Sequence, residues 1–152
     1  MRYWKDEIKI YFSNNLDLEV KSALSTFANY LNKEVDSLKI SFVDNINQSN
    51  FIIYDFNSND DIKYDKRIKD FYNDYYISWK GNQRIYDCKL QINSNSYKNK
   101  KDLITASKIL FLKSLGHLNL THLLPKDSYL SAHYSNTKVY MYLYMYICMY
   151  II

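Results

Sequence analysis

Ile8-Lys9-Ile10-Tyr11-Phe12 alternates apolar and polar residues, the period of a half-buried strand. Immediately after it the period changes. Ser13-Asn14-Asn15 is a helix start signal, and Asp17 and Glu19 complement the positive end of a helix. Val20, Leu24, Phe27 and Leu31 then recur at helical spacing, with Ala23 and Ala28 widening the stripe. An amphipathic helix of about four turns is predicted over residues 17–34. Leu38-Lys39-Ile40-Ser41-Phe42-Val43 returns to strand character. A strand, a helix and a strand in this order imply a right-handed crossover and parallel pairing.

Working outward, residues 50–56 (Asn-Phe-Ile-Ile-Tyr-Asp-Phe) form a more continuous apolar run, which predicts a strand buried on both faces. Residues 57–74 are charged, without a clean period, and read as irregular or weakly helical. Residues 75–79 and 84–92 flank Lys80-Gly81-Asn82-Gln83, predicting a hairpin whose turn is supplied by Gly81. After a polar loop, Asn99 caps a second helix with Asp102 in its first turn. Leu103, Ser107, Leu110, Ser114 and His117 share one face of it, with Ile104, Phe111, Leu115 and Leu118 alongside. Gly116 stands where a left-handed cap is expected, and Pro125 stops continuation. The predicted fold class is α/β (α+β): a mixed twisted sheet of about five strands with two main helices.

Composition limits the function classes. A chain of 152 residues, 47% hydrophobic and 24% charged, supports one core and is too apolar for disorder. Two Gly and one Pro exclude collagen, flexible linkers and any glycine-rich phosphate loop. Cys88 and Cys148 alone make neither a disulfide framework nor a multi-cysteine zinc site. Residues 1–75 carry 10 Lys and Arg against 13 Asp and Glu, whereas residues 76–152 carry 10 against 3. The basic half reads as a solvated lysine surface. Lys98-Asn99-Lys100-Lys101 matches no nucleic-acid motif, so no nucleic acid is expected as partner. The longest apolar run, residues 139–152, is too short for a membrane helix, so no transmembrane segment is expected. That stretch alternates Tyr with Met, Leu and Ile. The expected division is a domain over residues 1–137 and a low-complexity tail over 138–152.

The element order, and a last helix ending in Leu-Gly-His, resemble the catalytic domain of zincin metallopeptidases, metzincins of the matrixin type in particular. In that family the helix carries H-E-x-x-H-x-x-G-x-x-H, and a Met-containing turn lies under the zinc. Here Lys113-Ser114-Leu115-Gly116-His117 falls on H-E-x-G-H, and residues 127–134 (Asp-Ser-Tyr-Leu-Ser-Ala-His-Tyr) are similar to the Met-turn, with Leu130 at the Met place. The departures carry the functional reading. Lys113 stands at the first ligand and Ser114 at the general base, while Leu120 and Leu123 replace the Gly and the third ligand. The chain's three Glu are Glu7, Glu19 and Glu34, so none lies on this helix.

The resemblance therefore implies a zincin-like scaffold without peptidase chemistry, its vestigial site at Lys113, Ser114, His117 and Leu130. It is also similar to bacterial lipoproteins of unknown function with a comparably degraded helix, which implies an extracytoplasmic module if the native start lies upstream. No metal cofactor is expected. His117, His122 and His133 are weak zinc candidates, because positions five apart share a helix face poorly. A metal-dependent hydrolase with non-standard ligands stays open as an alternative. So does a domain binding peptide or glycan through Tyr75, Tyr76, Trp79 and Tyr86.

Overall fold

The computed structural model describes residues 2–57, 67–68, 73–116, 118, 121–126, 128–132 and 134. His117, His133, Asp127, the 138–152 tail and most of the 57–74 connection lie outside the described residues. Among the described residues the elements run β1 (Tyr3–Trp4), β2 (Ile8–Phe12), α1 (Leu18–Glu34), β3 (Ile40–Phe42), β4 (Phe51–Asp55), β5 (Asp74–Trp79), β6 (Arg84–Ile92) and α2 (Lys100–Ser114). The fold is mixed α/β, a mostly parallel sheet of six strands with two helices among the described residues.

β2 pairs in parallel with β3 on one side and β4 on the other, and β4 pairs in parallel with β6. β5 takes the second edge of β6 antiparallel, as the hairpin requires. β1 therefore shares the first edge of β6 with β4, end to end. Two residues carry no readable period, which is why β1 escaped the sequence reading.

Parallel register puts Ile10, Phe51 and Cys88 on one sheet face, with Phe12, Ile53 and Leu90 beside them. Both helices cover this face. α1 buries Val20, Leu24, Phe27, Ala28 and Leu31, the stripe its spacing predicts. α2 buries Leu103, Phe111 and Leu112, and the three surfaces meet in one core. On the opposite face Tyr54 is also sealed, its hydroxyl 3.1 Å from Gln91 Oε1, so β4 is buried on both sides as expected. Asn32 fastens α1 to β3 through two hydrogen bonds with the Ile40 backbone, at 2.6 and 2.7 Å.

Three local expectations need correction. The α1 cap is Asp17, whose Oδ1 accepts from the Glu19 and Val20 amides, rather than Ser13 or Asn15. In the hairpin the left-handed residue is Gln83, with φ 65°, and neither Gly81 nor Gly116 has positive φ. Lys80 and Gln83 close the turn (Gln83 N to Lys80 O, 2.9 Å), and Gln83, its last residue, turns left-handed so that Arg84 rejoins the ladder opposite Lys80. Gly116 instead lies against the Arg2 carbonyl, which a Cβ would approach to 3.6 Å.

Asp17 also pairs with Lys100 at the start of α2, linking the two helix N-termini. The Lys100 ammonium, with the α1 amides, holds the Asp17 carboxyl below its ordinary value. A depressed folded-state pKa contributes stability that is present above about pH 4 and lost as pH falls further. Asp17→Ala is expected to cost about 1 kcal/mol at neutral pH. In urea denaturation the gap to the wild type should narrow as the solution is acidified.

Candidate functional site

α2 is the element on which the resemblance places chemistry. Asn99 starts it, its Oδ1 accepting from the Asp102 amide at 2.8 Å, as predicted. The face turned to the sheet carries two serines among its apolar residues. Ser107 Oγ donates to the Leu103 carbonyl at 2.8 Å, and Ser114 Oγ to the Phe111 carbonyl at 2.6 Å. A hydroxyl bonded back to its own helix can sit in a core without an external partner.

Ser114 has no solvent exposure and lies beside the Cys88 thiol of β6. Burial, with Asp87 adding to it, pushes that thiol well above its ordinary pKa, and Ser114 offsets part of the shift. The position matching the general base thus faces packed sheet. Lys113, one residue earlier, is half-buried in the last helical turn, where a cation favours the helix dipole.

The turn resembling a Met-turn is also built into the core. Leu130 is buried, and its carbonyl accepts from the Thr121 amide at 2.9 Å. Ser128 Oγ accepts from the Leu130 amide and Ser131 Oγ donates to the Leu124 carbonyl, so both serines fasten the turn. Tyr129 sets its ring edge on Phe27 of α1, with centroids 5.4 Å apart, and stacks on Tyr134 at 5.1 Å. Burial, with Tyr134 beside it, pushes the Tyr129 phenol up to about 12. His122 is exposed on the segment that follows α2. Among the described residues no three His, Cys, Asp or Glu side chains group so as to hold a metal ion.

The four candidate aromatics do not share one surface. Tyr75 and Trp79 lie on the helix side of β5 and Tyr76 on the other side, following strand alternation. Tyr75 packs against the core, and burial pushes its phenol up to about 12. Guanidinium groups cover two of the rings: Arg2 lies 3.5 Å above Trp79 and Arg67 lies 3.6 Å above Tyr76. Tyr86 stands apart, at a bulge where Ser78 faces Asp87 but Trp79 faces Ile85. The extra residue turns Tyr86 outward and leaves Ile85 buried.

A cleft of about 440 Å³ opens at the other end of the helices, where β2, β4 and β6 finish. Asn15 and Asp17, after β2, line one side, and Asp55 closes β4. Ser94, Asn95, Tyr97 and Lys98 come from the link between β6 and α2, with Asn99, Lys100 and Leu103 at the α2 start. The chain leaves β2 toward the β3 edge and leaves β4 toward the β5 edge, so the loops part here, as they do at ligand crevices in open parallel sheets. Sequence reading identified Asp17 and Asn99 as helix-start residues only. The spacing of residues 15, 55 and 97 gives no signal that they meet.

These features define a class: an α+β domain with a mostly parallel sheet, both helices on one face and a polar cleft at the strand ends. No protein-family model matches the chain, and no curated protein matches it. Among the described residues no helix is long and apolar enough to cross a membrane.

Proposed function

We propose that this chain is a non-catalytic binding domain on a zincin-like metallopeptidase scaffold, a pseudoenzyme serving as an accessory module of a bacterial surface or secreted protein. The observation that carries this reading is Ser114. A general base must reach a metal-bound water, and this hydroxyl is sealed between α2 and β6 with its proton on the Phe111 carbonyl. Lys113 adds support, since an ammonium repels a divalent cation.

Metal analysis of the purified full chain tests the reading. Well under one zinc per chain is expected after dialysis against micromolar zinc, with no zinc-dependent cleavage of a denatured protein substrate. Stoichiometric zinc that disappears in His117→Ala would overturn it.

A further inference from the structure

We propose that the cleft at the ends of β2, β4 and β6 binds a neutral saccharide, with Asp55 accepting hydrogen bonds from its hydroxyls. The site lies at the α2 start, about 20 Å along the helix from Ser114, so it stands whether or not the metallopeptidase reading does.

Asp55 carries the argument. The residue is 6% exposed and lines the cleft. Its Oδ1 accepts twice from Asn57, from the backbone amide at 3.0 Å and from Nδ2 at 3.1 Å. Its Oδ2 accepts no hydrogen bond from any described residue. That oxygen keeps some access to solvent in the cleft, so a ligand hydroxyl can replace water as its donor in a charge-assisted hydrogen bond. The other carboxylate is already committed, because Asp17 caps α1 through Oδ1 and pairs with Lys100 through Oδ2.

Charge and shape narrow the ligand. Asp17 and Asp55 balance Lys98 and Lys100, so the lining has no net charge. An anion would meet the unpaired oxygen of Asp55. A cation would meet the lysines and two helix N-termini. The remaining polar groups are the amides of Asn15, Asn95 and Asn99 and the hydroxyls of Ser94 and Tyr97, which both donate and accept. The half-buried Tyr97 ring, with Leu103 beside it, offers an apolar wall for the C–H face of a sugar. The volume is within the range of small-ligand pockets and suits a mono- or disaccharide.

The test is a titration of the ¹⁵N-labelled full chain with neutral hexoses, N-acetylhexosamines and their disaccharides, beside inorganic phosphate and free amino acids. Saturable amide shifts confined to residues 15–17, 55–57 and 94–103 are expected with at least one sugar. Asp55→Asn, which keeps the acceptor for Asn57, should weaken that binding by about tenfold or more. Asn95→Trp, at an exposed position of the wall, should abolish it; the change also removes the exposed Asn95–Asn57 hydrogen bond, so the melting temperature should fall by no more than about 4 °C, and this variant decides the matter if Asp55→Asn fails to fold. Absence of shifts with every sugar overturns the proposal. So does binding of phosphate or amino acids in their place, or shifts that map to Tyr76, Trp79 and Tyr86. The zinc measurement reads the other end of the helices, so either proposal can fail alone.

Discussion

Ser114→Glu, the change that would restore the metallopeptidase base to its place in the motif, is expected to unfold the domain rather than endow it with chemistry. The side chain has no exposure and sits between α2 and the Cys88 strand. A carboxylate there has no cation to pair with, and its extra bulk must displace packed core. A loss on the order of 4 kcal/mol is expected, the range in which buried unpaired charges fall. For a chain of this size that is a fall in melting temperature of roughly 10 °C or more. Ser114→Ala is the control. It removes a hydroxyl that donates to a carbonyl of its own helix, and should change stability by no more than about 1 kcal/mol. If Glu were tolerated as well as Ala, the position would have a route to solvent, and the non-catalytic reading would lose its support.

Phe111→Ala is expected to be comparably damaging for an apolar reason. The Phe111 ring is fully buried and meets Phe27 of α1 edge-on at 6.3 Å and Phe51 of β4 at 5.5 Å. Phe51 in turn stacks on Trp4 of β1 at 6.1 Å. One ring thus joins both helices to the sheet. Truncation removes its buried area and leaves a cavity, together about 3–5 kcal/mol. Chemical denaturation should show the midpoint fall with an unchanged slope. Combined with Phe27→Ala, the loss should fall short of the sum by about 0.5–1.5 kcal/mol, because the two rings touch. Leu18→Ala, at 79% exposure, should stay within about 0.5 kcal/mol of the wild type.

Much of the fold was legible from neighbours along the chain. Ile8, Ile10 and Phe12 alternate, Val20, Leu24, Phe27 and Leu31 recur helically, and each set is the face that the structure buries. Asn99 was readable as a cap because capping needs only the three residues that follow it. Shorter-range choices were less secure. Ser13, Asn15 and Asp17 can all cap a helix, and only the path of the chain out of β2 selects Asp17. A glycine in a hairpin suggests the left-handed position, yet the ladder register assigned it to Gln83.

The sequence by itself determined the elements, their order and the parallel first crossover, because hydrophobic period is a property of adjacent residues. It also set the identity of the groups at the old motif, since no Glu follows Glu34. Only the tertiary structure decided which way those groups face. A serine on α2 reads the same whether it lines a cleft or a core, until β6 brings Cys88 against it. The cleft belongs wholly to that level. Asn15, Asp55 and Tyr97 are far apart in the chain and meet because strand order brings three carboxyl ends to one side. Strand order is set by long-range burial that no local pattern encodes.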